Sequence, residues 1–199
     1  VTHSDVLHVY EGNPAATFVG DLTAANHLPS DTFDCIILTQ TLQLIYDVRS
    51  AIATLYRILK PGGVLLATFP GLSPTPEDII GDGWYWAFTR QSAQRLFEEA
   101  FPQPKVEIKG YGNVLAATAF LQGLATEEVA TDELDEYDPD YDTILAVRAE
   151  KPTPDYAESM VGRWNYENME PSPDDDETSY HKGIAFLDGH GTIEDWDCV

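Results

Sequence analysis

Along residues 1–70 the apolar positions fall in short runs separated by turn-forming residues. Residues 2–9 (Thr-His-Ser-Asp-Val-Leu-His-Val) and 15–20 (Ala-Ala-Thr-Phe-Val-Gly) read as short strands, broken by Gly12-Asn13-Pro14. Residues 33–38 contain Cys35-Ile36-Ile37-Leu38, a continuous apolar run opened by Pro29-Ser30-Asp31. Such a run predicts a strand covered on both faces of a parallel sheet. From Val48 the spacing changes, because Val48, Ile52, Leu55 and Leu59 fall at i, i+4, i+7 and i+11, one face of an amphipathic helix. Pro61-Gly62-Gly63 predicts its stop, and 64–69 (Val-Leu-Leu-Ala-Thr-Phe) a second buried strand. Strand, helix, turn and strand make a βαβ unit, which implies a right-handed crossover and a parallel pair.

The second half alternates in the same way. After Pro70-Gly71 comes a loop rich in Pro and Asp, then Trp84-Tyr85-Trp86, then a helix with Thr89 as N-cap that turns Ala93, Leu96, Phe97 and Ala100 inward. Pro102 and Pro104 end it. Residues 105–111 alternate like a strand, 113–124 predict a helix or an apolar arm, and 143–149 a final strand. Residues 127–142 hold nine acids and no base, and no metal-ligand spacing is visible there, so a solvated loop is expected. Residues 151–178, with four prolines and Asp174-Asp175-Asp176-Glu177, predict an acidic linker. Beyond it, 178–187 is compatible with a short helix and 192–198 with a strand.

Composition narrows the function classes. A chain of 199 residues that is 43% apolar suits one domain plus an appendage. Its 11 Lys and Arg stand against 34 Asp and Glu, a formal net charge of −23, and the cations are scattered. A polyanionic partner is therefore disfavoured, nucleic acid above all. No uncharged run approaches the roughly 18 residues of a membrane-spanning helix. Cys35 and Cys198 are too few and too far apart for a disulfide framework or a zinc site, so a reduced, cytoplasmic chain is expected. The chain starts at Val1 with no secretory leader, which suggests a piece of something longer. Walker, His-x-x-x-His, Gly-x-Ser-x-Gly and Cys-x-x-Cys patterns are absent, and no metal is expected.

The stretch Asp34-Cys-Ile-Ile-Leu-Thr-Gln-Thr-Leu-Gln-Leu-Ile-Tyr-Asp47, followed by Tyr56-Arg-Ile-Leu-Lys-Pro-Gly-Gly-Val-Leu-Leu-Ala-Thr-Phe-Pro-Gly71, resembles the class I S-adenosylmethionine-dependent methyltransferases of the type 11 group. The Trp-Tyr-Trp segment with Phe88-Thr89 resembles that family's substrate side. The resemblance covers about residues 2–150 and is specific over 31–71. It implies an α/β fold with a Rossmann-like sheet in the order 3-2-1-4-5-7-6, strand 7 antiparallel. On that template the chain starts at strand 2, and the family's strand 1 with its glycine-rich turn lies ahead of Val1. Residues 1–150 then form the methyltransferase domain and 151–178 the linker. Residues 179–199 are either the start of a second, tandem methyltransferase-like domain or a strand that completes the first.

The resemblance also implies a site. Ligands of open parallel sheets bind beyond the carboxyl ends of the strands. Asp5, read as following strand 2, matches the acid that accepts from the ribose hydroxyls of S-adenosylmethionine. Asp21 and Leu22 match the pair beside the adenine, and Thr39 and Gln40 the contacts to the methionine part. Trp84, Tyr85 and Trp86 are candidates to cover the acceptor, expected to be a small molecule or glycan. Methyl transfer is an in-line displacement in which the protein chiefly positions the nucleophile, so no particular catalytic residue is implied. His8, His27 and Tyr46 are the nearest candidates for a base. Relatives carry His near positions 43 or 44, where this chain has Gln43-Leu44. The same residues leave two other functions open, a non-catalytic binding module of this fold and a fragment of a Rossmann-type oxidoreductase.

Overall fold

The computed structural model describes residues 3–75 and 83–156. Two short strands, β1 (Leu7–His8) and β2 (Phe18–Val19), pair in parallel with Leu7 opposite Phe18 and His8 opposite Val19. They are shorter than the runs 2–9 and 15–20 predict, because β1 and β2 have only each other as ladder partners among the described residues. Then follow β3 (Phe33–Thr39), α1 (Val48–Ile58), β4 (Leu59–Pro70), α2 (Arg90–Glu98), β5 (Val106–Tyr111), α3 (Val114–Gln122), the single-turn α4 (Thr131–Leu134) and β6 (Ile144–Glu150). These strands form a four-stranded sheet in the order β3-β4-β6-β5. β3 and β4 are parallel, while β6 runs antiparallel to both of its neighbours. The result is a mixed α/β sheet.

Helices α1, α2 and α3 each start where a capping residue is. Asp47 accepts from the Ser50 backbone N–H at 3.1 Å and from its hydroxyl at 2.6 Å, satisfying an orphan donor of α1. Thr89 and Ser92 cap each other at the start of α2. Asn113 caps α3 through Ala116 at 2.8 Å, and its amide also donates to the carbonyls of Glu133 and Glu136. One nearly buried side chain thus ties the acidic stretch 127–142 to the body, and that stretch contains α4 where a plain loop is predicted.

The predicted stop at Pro61-Gly62-Gly63 needs correction. β4 begins directly at Leu59, which pairs with Phe33, and the next paired residue is Val64, opposite Cys35. The residues between them form a bulge inside the strand. Gly62 has a positive φ of 80° there, and a Cβ on Gly63 would lie 2.8 Å from the Lys60 carbonyl oxygen. Glycine is required at both places for those two reasons.

Pleating divides the sheet into two faces. Ile36 and Leu38 of β3, Leu65, Ala67 and Phe69 of β4, and Leu145, Val147 and Ala149 of β6 belong to the core beneath α1 and α2. From α1 come Val48, Ala51, Ile52 and Leu55, and from α2 Ala93 and Phe97. A second cluster of Ala25, Leu28 and Ile58, with Leu7, Phe18, Phe33 and Ile36 against it, fastens β1 and β2 to this body. The opposite face of β3 contradicts the expectation of cover on both sides, since Cys35 is exposed and Ile37 is 71% exposed. No element of the described residues packs over it.

On β6, Glu150 receives Lys105 at 2.8 Å and Arg148 at 3.2 Å. Hydrogen bonds from these two cations, Lys105 first, hold its carboxyl below the ordinary value of 4.5. A carboxyl lowered in the folded state stabilises the fold above the unfolded pKa, and that stability is lost as pH falls through the folded value. Glu150→Gln is therefore expected to flatten the loss of stability below pH 4.5, read as denaturation midpoint against pH. Asp47, also lowered by its Ser50 bonds, leaves a residual acid dependence.

Contacts divide the chain at Pro152/Thr153. The predicted helix 178–187, the strand 192–198, Cys198 and most of the linker lie outside the described residues. Among the described residues no helix is long and apolar enough to cross a membrane.

Candidate functional site

β3 ends in a backbone conformation that only a few residue types tolerate. Gln40 has φ +49°, left-handed for a non-glycine residue, and its N–H donates to the Thr68 carbonyl at 2.7 Å. Thr41 turns its hydroxyl back onto the Thr39 carbonyl at 2.9 Å, and Leu42–Leu44 form one 3-10 turn. Leu42 enters the core, 1% exposed. Gln43 beside it is only 2% exposed, which is unusual for an amide side chain.

Gln43 is incompletely satisfied. Its Nε2 reaches the Gln40 Oε1 at 3.5 Å, the outer limit of a hydrogen bond, while its Oε1 is buried with no partner. A buried acceptor left unpaired costs about 1–3 kcal/mol. Two local costs, the left-handed Gln40 and the unpaired Gln43, thus fall within four residues at the carboxyl end of β3. Strain of this kind gathers at ligand sites.

The main chain of Gln43 holds the aromatic segment in place. Its carbonyl accepts from the N–H groups of Tyr85 at 2.8 Å and Trp86 at 3.3 Å, and the Trp86 indole N–H donates to the Ile45 carbonyl at 2.8 Å. Tyr46 then stacks on Trp86, with centroids 6.0 Å apart, and meets Tyr85 edge-on at 5.4 Å. Gly83 has φ +94°, and a Cβ there would lie 2.5 Å from the Tyr85 ring. The three rings remain outward, Tyr46 at 71%, Tyr85 at 53% and Trp86 at 36% exposure. Trp84 is half-buried and stands apart from this group.

The other predicted residues scatter around β1 and β2. Asp21 follows β2 and is exposed, and its Oδ1 accepts from the Thr23 N–H at 2.8 Å and hydroxyl at 2.9 Å. Leu22 lies in the core at 8% exposure, so its apolar contacts are made to protein. Asp5 differs most from the sequence reading. It precedes β1, where its carboxylate lies 3.2 Å from His3, and the acid beyond the carboxyl end of that strand is Glu11. The run 2–9 contains Asp5, and β1 starts only two residues after it, so Asp5 lies before the strand rather than beyond its carboxyl end.

Of the candidate bases, His8 is bound through Nδ1 to the Tyr10 backbone, and the His27 ring lies against Gly20 where a Cβ would clash. Tyr46 belongs to the aromatic group. The sequence marks Gln43 only as a departure from the histidine of relatives and gives it no role, although a polar residue between Leu42 and Leu44 soon after a strand is a usable signal. Among the described residues no group of three or more His, Cys, Asp or Glu could hold a metal ion.

Comparison with known proteins finds a likeness to methyltransferases. Residues 6–67 match the family model described as a methyltransferase domain. The ubiquinone/menaquinone biosynthesis C-methyltransferase UbiE of Marinomonas sp. (strain MWYL1) is 47% identical over 49 residues, 25% of this chain and 20% of that protein. UbiE of Haemophilus ducreyi is 46% identical over 44 residues, 21% and 17% respectively. The aligned stretch thus spans a fifth or less of these curated relatives. A crystal structure of an S-adenosylmethionine-dependent methyltransferase from Mesorhizobium loti overlays with TM-score 0.47 at 18% identity, covering 72% of this chain and 78% of that one. Through residues 6–67, which hold β1 to β3, α1, most of β4 and the strained turn after β3, the chain is similar to methyltransferase domains.

Proposed function

We propose that this chain carries part of the active site of an S-adenosylmethionine-dependent methyltransferase whose acceptor is a small molecule. The observation that carries the reading is the turn after β3, where the left-handed Gln40, the unpaired Gln43 and the exposed aromatic group meet. The relatives' names, C-methyltransferases of quinone biosynthesis, favour a small molecule over a glycan.

The sheet order supports the same reading. The described residues form two sheets, β1-β2 and β3-β4-β6-β5 with β6 antiparallel, and the second has the neighbours expected of strands 4-5-7-6. We propose that the first corresponds to strands 2 and 3, and that a strand from outside the described residues fills a slot between β1 and β3.

The residues present fit the cofactor. S-adenosylmethionine, when bound, supplies a methyl group activated on a sulfonium. Its amine and hydroxyl donors call for acceptors, and the Asp21 and Glu11 carboxylates, which follow β2 and β1, offer them. Asp21 takes the exocyclic amine and Glu11 the ribose hydroxyls, the role that the sequence assigned to Asp5. Thr39 and Gln40 line the methionine part, and Leu22 fixes Asp21 from within the core. Tyr85 and Trp86 face the acceptor and exclude water from it.

Titration with S-adenosylhomocysteine, followed by saturation-transfer NMR, tests this. Saturable binding weaker than about 1 μM is expected, because the site has an open wall between β1 and β3. Asp21→Ala is expected to weaken it at least about tenfold, the loss of one hydrogen bond to a charged group. An absence of saturable binding, or binding that Asp21→Ala leaves unchanged, overturns the assignment and favours a non-catalytic module.

A further inference from the structure

We infer that Gln43 is a specificity-determining residue for the methyl acceptor, and that the acceptor is an uncharged or cationic ring bearing an O–H or N–H donor. The inference rests on the methyltransferase reading for the word acceptor, but its physical basis is independent of the cofactor. Three observations on different atoms converge. First, the Gln43 carboxamide is 2% exposed and its Oε1 has no partner, so the fold holds a hydrogen-bond acceptor that nothing in the described chain uses. The side chain that its amide touches is that of Gln40, which is exposed and joined to it only by a 3.5 Å contact. That contact is made by Nε2 and leaves Oε1 unused, so a ligand donor that reaches Oε1 gains a desolvated acceptor with no protein bond to break.

Second, the same residue positions a ring-binding surface. Tyr85 and Trp86 hang from the Gln43 carbonyl, and Tyr46 completes an exposed group of three rings in mutual contact. Large exposed aromatics in contact with one another are unusual on a surface that has no partner, and a flat ring offers them stacking area. An aliphatic acceptor would leave the faces of these rings half-used. Third, the charge is one-sided. Residues 39–47 and 83–89 contain Asp47 and no Lys or Arg, in a chain of net charge −23. An anionic ring is disfavoured there by like charge, whereas a neutral or cationic one is not.

The acceptor's ring therefore lies on Tyr46, Tyr85 and Trp86, and its donor points to Gln43 Oε1. An apolar residue at 43 would keep the ring surface and lose the discrimination. It would also relieve the unpaired oxygen, and this separates the proposed role from a merely structural one. A structural glutamine stabilises the fold, whereas a glutamine held for a ligand does not.

The test uses the full chain and small probes: phenol and aniline, which carry a donor, and toluene, which matches them in shape and does not. Affinities are read from Trp indole N–H and Gln amide shifts in 15N-resolved NMR. Phenol and aniline are expected to bind the unaltered chain about threefold to tenfold more tightly than toluene, the range of one hydrogen bond. Gln43→Leu is expected to abolish that preference, leave toluene binding intact and raise the Tm by about 2 °C. Equal binding of phenol and toluene by the unaltered chain overturns the proposal whatever the variant does. A Gln43→Leu variant that keeps the preference, or that loses stability, overturns it as well. S-adenosylhomocysteine titration of the same samples separates the two claims. Loss of cofactor binding with the phenol preference intact counts against the methyltransferase reading alone.

Discussion

Phe69→Ala is expected to cost about 3–5 kcal/mol of folding stability, read as a shift of the urea midpoint at constant slope. Phe69 is wholly buried on β4, with the Phe88 ring at 4.6 Å and the Phe97 ring at 6.2 Å between centroids. Phe97 in turn stacks on Phe101 at 6.3 Å, and Phe101 meets Tyr56 edge-on at 5.0 Å. The chain of rings joins β4, the segment before α2, α2 itself and α1. Removing its centre leaves a cavity bordered by rigid rings, which collapse around a gap less readily than aliphatic chains. Phe88 follows directly on the aromatic segment, and its N–H donates to the Pro70 carbonyl at 3.2 Å. The same variant is therefore expected to loosen Tyr85 and Trp86, seen as a change in Trp fluorescence before global unfolding. A cost below about 1 kcal/mol would mean that this core is not the one described.

Lys151→Met is expected to cost about 2–3 kcal/mol, which is large for a residue at the end of the folded unit. The Lys151 side chain is 13% exposed, and its ammonium donates to the carbonyl of Leu59 at 2.9 Å and to Asp31 at 2.7 Å. A weaker contact reaches the Arg57 carbonyl at 3.4 Å, and the charge lies 4.8 Å from the centroid of the Tyr56 ring. A cation here satisfies carbonyls that end α1, where the helix dipole is negative. Methionine keeps the length and the apolar stem, so the loss isolates the charge and its hydrogen bonds. Asp31→Asn, removing an exposed partner, is expected to cost under about 1 kcal/mol. Equal costs for the two variants would show that the ion pair, rather than the helix-end carbonyls, accounts for the effect of Lys151.

Local pattern carried several of the element boundaries from Val48 onward. Thr89 as N-cap, the helix from Val48 and the alternating strand ending at Tyr111 are all found where side-chain chemistry predicts them. Capping and amphipathic spacing are properties of neighbouring residues, so a sequence reading reaches them directly. The same method failed at β1. Residues 2–9 have strand-like composition, but a strand extends only as far as its ladder, and β1 pairs with two residues of β2. Its length, and with it the position of Asp5 before the strand, depended on a partner that composition does not encode.

The site divides in the same manner. The placement of Asp21 and Gln40 just past strands, and the Trp-Tyr-Trp run, were legible because strand ends and aromatic runs are visible in a string of letters. That Tyr85 and Trp86 hang from Gln43, forty-two residues before Tyr85, was not, because a backbone hydrogen bond has no side-chain signature. Nor was the unpaired oxygen of Gln43, since satisfaction of a buried amide depends on every neighbour at once. By itself, then, the sequence determined the alternation of strands and helices, the Thr89 cap, the acidic character and the resemblance to methyltransferases. Tertiary structure alone decided which face of β3 is covered, which acid stands beyond β1, and that a strained turn, a buried amide and three rings share one end of the sheet. The first set follows from contacts within a few residues, and the second from contacts between segments that only the fold brings together.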